Sequence, residues 1–118
     1  MLSTWSELTA GLDDHDLGLL TLYREVARAL PDTEEQVHTS QVQYRRRRIF
    51  TSGYVKSHYL EIGVELTRTA EHPQLRTTVD TSKRVTLHRI TLREQEQFDD
   101  ALRELITEAW ETVGPGFR

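Results

Sequence analysis

The sequence predicts an α+β fold in which N-terminal helices precede an antiparallel meander of three to four strands and a long C-terminal helix packs on one face of the sheet. Three stretches carry that prediction. Leu60, Ile62, Val64 and Leu66 alternate with Glu61, Gly63 and Glu65, the period of a strand with one buried face. Phe98, Leu102, Leu105, Ile106, Ala109 and Val113 recur three or four residues apart, a helical stripe with Trp110 at its edge. A second stripe, Leu19 or Leu20, Tyr23, Ala27 and Leu30, marks a helix ahead of the strands. At 118 residues the chain, 1–118, is expected to be one domain with one core.

In chain order, Met1 to Leu12 reads as a short helix, with Thr4 and Glu7 as a capping box, Gly11 as its stop and Trp5 and Leu8 as anchors. Asp13, Asp14 and Asp16 gather where the second helix begins, about Asp16 to Leu30, and suit the positive end of its dipole. As a calcium loop the trio lacks the ligand spacing. Pro31 ends that helix, and residues 36–40 can form an edge strand. Gln41 to Leu66 then reads as a β-hairpin turning at Thr51-Ser52-Gly53, with Gly at the place that needs a left-handed residue. This register sets Phe50 against Tyr54, Arg48 against Lys56, Arg46 against His58, Tyr44 against Leu60 and Val42 against Ile62.

Thr67 to Ser82 reads as an irregular crossover or a lid. Lys83 to Leu92 is a strand of ambiguous faces, with Val85 and Leu87 on one side and His88, Ile90 and Leu92 on the other. Either both faces are covered or a bulge near His88 and Arg89 shifts the register. Thr91 and Glu94 suggest a capping box for the last helix, from Leu92 or Arg93 to about Val113, which Gly114-Pro115-Gly116 stops.

A net charge of −4 argues against nucleic-acid or membrane binding through bulk charge. The absence of cysteine excludes disulfides and thiolate chemistry and leaves only His and carboxylate for a zinc site. No apolar run reaches membrane-spanning length and the N-terminus lacks signal-peptide character, so a cytoplasmic location is expected. There is no Gly-rich phosphate loop, nucleophile elbow or HExxH motif. No catalytic residue, metal or cofactor is therefore expected.

The chemistry points instead to the arginine run. In the predicted register Arg46 and Arg48 share a face with Lys56 and His58 at the turn end of the hairpin, while Arg45 and Arg47 face solvent. Like charges opposed in a sheet require water or an anion. On this reading the protein is a small binding module. Arg46, Arg48, Lys56 and Arg84 would hold a phosphate or carboxylate, and Tyr44, Phe50, Tyr54 and Tyr59 would wall the site. His88 either joins that pocket or is a core or surface histidine bonded to backbone. Asp99 either pairs with Arg103 along the helix or reaches a basic residue on the sheet, and His58, His88 and Asp99 together could serve acid-base or metal chemistry if they share a face. Two alternatives stand beside this one. The half-polar sheet face could dock a protein partner or a second copy of the chain, or the arginine-rich hairpin could bind nucleic acid weakly.

The stretch from Tyr44 to Glu111 resembles a small bacterial domain-of-unknown-function family, some of whose members are labelled predicted transport proteins. The matching features are Tyr44 with the basic stretch and Phe50, LEIGVEL at Leu60 to Leu66, RVTLHRITL at Arg84 to Leu92, and a final helix. In that helix Asp99 stands ahead of Leu102, and Ala109-Trp110 occupies the place where relatives tend to carry Ala-Tyr. The resemblance implies an α+β fold and carries no catalytic residue with it.

Overall fold

A computed structural model describes residues 2–116, so Met1, the first residue of the expected N-terminal helix, lies outside the described residues. Helix α1 (Trp5–Thr9) starts at the expected capping box, with Thr4 accepting from the Glu7 N–H and Glu7 accepting from the Thr4 N–H. Gly11, at φ 83°, turns the chain out of it. Helix α2 (Asp14–Arg28) begins two residues earlier than the sequence suggests, because Asp13 is the cap and accepts from the Asp16 N–H at 2.8 Å.

Six strands follow, not three to four: β1 (Glu34–Val37), β2 (Val42–Arg45), β3 (Ile49–Lys56), β4 (Tyr59–Leu66), β5 (Leu75–Asp80) and β6 (Thr86–Leu92). They form one antiparallel sheet in the order β1-β2-β3-β4-β6-β5. Helix α3 (Asp100–Thr112) closes the fold, and α2 and α3 both lie over β3 and β4. Among the described residues no helix is long and apolar enough to cross a membrane.

The hairpin register is the main correction. Thr51, Ser52 and Gly53 do not turn; they run through the middle of β3, pairing with Val64, Gly63 and Ile62. The turn lies at Ser57 and His58, which both adopt left-handed backbone, φ 51° and 65°. A two-residue loop of that hand matches the twist of the flanking strands. Strand β2 is a separate element that meets β3 from the other side, with Val42 against Gly53 and Tyr44 against Thr51. The pairs predicted between Phe50 and Tyr54, Arg48 and Lys56, Arg46 and His58, Tyr44 and Leu60, and Val42 and Ile62 do not form. Gly53 is glycine for packing: a Cβ there would stand 2.7 Å from the Tyr23 ring of α2.

One register shift lies between β2 and β3, where Phe50 is the extra residue and is fully buried. Another lies on β5 at Arg76, whereas β6 pairs with β4 without interruption, so no bulge occurs near His88 and Arg89 on that side. Thr91 and Glu94 do not cap the last helix. Glu94 and Gln97 bracket a 3-10 turn at Gln95–Gln97, and Asp99 caps α3 by accepting from the Leu102 N–H at 2.9 Å.

The core lies between the helices and one face of the sheet. Leu19, Leu20, Tyr23 and Ala27 of α2 and Leu102, Ile106 and Ala109 of α3 are buried. They face Val42, Tyr44, Leu60, Ile62, Val64, Leu66, Ile90 and Leu92, so the alternation that predicted β4 is the alternation that fills the core. Tyr23 and Tyr44 meet edge to face, with ring centres 5.5 Å apart.

Candidate functional site

The corrected register separates the residues that the sequence brought together. Arg46 and Arg48 belong to the β2–β3 turn, at the opposite end of β3 from Lys56 and His58. That turn is occupied by the end of α3: the Arg47 and Arg48 N–H groups donate to the Gly114 carbonyl at 2.8 and 3.0 Å. The Arg46 guanidinium lies over the Trp110 ring at 4.3 Å and donates to the Trp110 carbonyl. Cations there suit the negative end of the helix dipole. Arg48 reaches Glu65 at 3.6 Å, and Arg45 and Arg47 are exposed as expected.

Tyr44 is fully buried and donates to Glu35 at 2.8 Å, so it is a core residue and not a ligand wall; Phe50 is buried as well. Arg84 lies in the β5–β6 connection, where its N–H donates to Ser82 Oγ. His88 points into the core, where its Nε2 accepts from the Ala70 N–H at 2.9 Å and its Nδ1 faces the Val64 and Thr86 carbonyls. It is the backbone-bonded core histidine of the two readings. Asp99 pairs with His72 at 2.9 Å, Arg103 pairs with Asp100 instead, and His58 meets Asp16. The His58, His88 and Asp99 constellation does not assemble.

A different basic surface does assemble, on the face of the sheet that carries no helix. Tyr54 and Lys56 of β3, Tyr59 and Glu61 of β4, Arg76 to Val79 of β5 and Arg89 of β6 line a depression of about 650 Å³. A second one, of about 440 Å³, adjoins it through Tyr59 and Arg76 and adds Gln74, Leu75, Thr91 and Arg93. Strand alternation places Tyr54, Tyr59, Glu61, Arg89 and Thr91 on this face, because their neighbours Val55, Leu60, Ile62, Ile90 and Leu92 face the core.

The electrostatics of the groove are lopsided. Its one acid in the first depression, Glu61, is buried and accepts from the Tyr54 phenol at 2.8 Å; this hydrogen bond, with burial and the Glu61 charge, raises the phenol's pKa. Arg93 lies over the Tyr59 ring at 5.3 Å. Among the described residues, no ion pair engages Lys56, Arg76 or Arg89. The Thr91 hydroxyl in the wall of the second depression is buried without a hydrogen-bond partner. Of these groups sequence reasoning named Lys56, Tyr54 and Tyr59 and missed Arg76, Arg89 and Arg93. Reading Thr67 to Ser82 as irregular hid β5, although Thr77, Thr78 and Val79 form a β-branched run, and residues 81–85 with Thr81 and Ser82 make a short connection to the next strand.

A family model described as a domain of unknown function, DUF5655, matches residues 19–113. The chain belongs to that family. The DUF5655 match spans the whole sheet, α3 and the groove, and it begins inside α2, leaving Asp13 and Asp16 ahead of it. No curated protein matches the chain, and no solved structure does.

Proposed function

We propose that the protein is a small cytosolic binding module that holds an anionic, phosphate- or carboxylate-bearing ligand on the open face of its sheet. The observation that carries this reading is the set of three cations, Lys56, Arg76 and Arg89, that have no ion-pair partner among the described residues and stand around the two tyrosines of the groove. An arginine fork engages an oxyanion through two parallel hydrogen bonds, and an aromatic ring beside it gives a planar ligand a surface. The anion site of the sequence reading thus keeps Lys56, Tyr54 and Tyr59 and exchanges Arg46 and Arg48 for Arg76 and Arg89.

The test is a calorimetric and thermal-shift titration with inorganic phosphate, pyrophosphate, nucleoside monophosphates and dicarboxylates. At least one raises the melting temperature of the wild type, with an effect that weakens as salt is added. Arg76→Ala with Arg89→Ala removes the shift while leaving the melting temperature without ligand nearly unchanged, since both side chains are at the surface. If no anion stabilises the wild type, or the double variant responds equally, the reading is wrong.

A further inference from the structure

A second cluster of polar groups lies at the other side of the β3–β4 turn, where α2 begins. Asp13 caps α2 with its Oδ1 alone. Its Oδ2 stands 3.4 Å from Nδ1 of His58. Asp16, in the first turn, has a side chain only 6% exposed, and both of its oxygens meet imidazoles: Oδ1 meets His15 Nδ1 and Oδ2 meets His58 Nδ1, each at 2.9 Å. One donor atom from each of Asp13, Asp16 and His58 lies within 4.8 Å of the others.

Capping of α2 does not account for this arrangement, because it uses neither the Asp16 carboxylate nor Oδ2 of Asp13. A buried carboxylate needs a positive partner. Among the described residues no lysine or arginine pairs with Asp13 or Asp16; only histidines do. The separations of 2.9 and 3.4 Å from His58 Nδ1 match those between neighbouring ligands of a metal bonded at about 2.0–2.2 Å, about 3.0 Å in an octahedron and about 3.4 Å in a tetrahedron. Behind the cluster, His15 donates from Nε2 to the Arg93 carbonyl at 2.7 Å and so is fixed where its Nδ1 meets the far oxygen of Asp16. Partners of that kind orient a ligating carboxylate.

We propose that Asp13 Oδ2, Asp16 Oδ2 and His58 Nδ1 form a site for a first-row divalent cation. The donor set comes from the start of α2 and from a hairpin turn 42 residues away, which no spacing rule along the chain reveals. An imidazole nitrogen among the ligands favours zinc over calcium, magnesium and manganese, which prefer oxygen donors. Exposure of Asp13 and His58 on the solvent side, 55% and 75%, leaves the remaining coordination positions to water.

Calorimetric titration of chelator-treated full chain with zinc, manganese and calcium chloride tests the site. One zinc ion binds per chain, manganese binds at the same place more weakly, and calcium does not compete. Asp13→Asn keeps a capping side chain, and His58→Ala removes an exposed one from a left-handed turn position, so thermal melts check that both fold. Each weakens zinc binding by tenfold or more, while His38→Ala, which alters a histidine whose ring bonds Gln43 on another part of the sheet, leaves it unchanged. The proposal is overturned if the wild type takes up no stoichiometric zinc, if Asp13→Asn and His58→Ala bind as tightly as the wild type, or if the affinity is lost with His38.

Discussion

Tyr44 shows how one residue changes meaning between sequence and structure. Beside four arginines it reads as the wall of a pocket, yet its ring packs on Tyr23 and its hydroxyl donates to Glu35, which also receives two hydrogen bonds from Arg24 at 2.9 and 3.0 Å. Burial pushes the Glu35 carboxyl up, but the hydrogen bonds from Arg24 and Tyr44 outweigh it and hold the group below its ordinary range. Burial, and then the bond to Glu35, push the Tyr44 phenol far above its own. The phenol is therefore a permanent donor to a charged acceptor, an interaction of about 1.5–3 kcal/mol. Tyr44→Phe keeps the ring and deletes only the donor. It should lower the unfolding free energy by about 1–2 kcal/mol in a urea melt, with an unchanged slope. An unchanged midpoint would show that water replaces the phenol at no cost.

At the scale of elements, what was legible was whatever depended on local periodicity. The stripes of α2 and α3, apart from Leu30, Phe98 and Val113, which lie beyond the helix ends, the capping box of α1 and the alternation of β4 are each set by side chains a few residues apart, and all of them form. What failed was pairing, which depends on partners far along the chain. Thr51-Ser52-Gly53 carries turn chemistry, but Thr51 and Val55 share the core face with Gly53, and continuing the strand through them buries that face against α2. Ser57-His58 has no glycine to announce a left-handed turn. The arginine run stands out by its charge, and its position is set by the Gly114 carbonyl at the other end of the chain. Gly53→Ala separates the two readings of that glycine. A turn glycine would be lost through its backbone angle, whereas the β3 glycine is lost through a clash with the Tyr23 ring. The substitution should cost about 1–3 kcal/mol. Combining it with Tyr23→Leu should recover part of that loss in a thermal melt. Strict additivity of the two changes would count against contact between them.

The molecule as a whole is a one-sided sheet whose helices are held by charged contacts along their rims. Helix α3 is tied at its start by His72 on Asp99, near its middle by the two-bond pair of Arg68 with Glu108, and at its end by the arginine turn. The first two of these ties come from the segment after β4, which His88 also holds through Ala70; residues 67–74 are thus fastened to the fold. A hydrogen bond from His72, joined by the Leu102 N–H, lowers the Asp99 pKa, and a hydrogen bond from Arg68 lowers that of Glu108. Together with Glu35 these are carboxyls that bind protons less readily folded than unfolded. Their stabilisation is complete above the ordinary carboxylate range, near 4, and is lost as the pH falls through the lower folded-state values. Glu65 acts in the opposite sense, because burial raises its pKa more than Arg48 lowers it, but it stands against these three and against Glu7 and Asp16, whose pKa values are lowered as well. The melting temperature should therefore hold between about pH 6 and 5 and fall progressively below about 4. Asp99→Asn, which keeps a cap, combined with Glu108→Gln should lower the plateau and make the acid limb shallower, since two of the groups that drive it no longer titrate. An acid limb that superimposes on the wild type would mean that the rim pairs contribute nothing to holding α3 on the sheet.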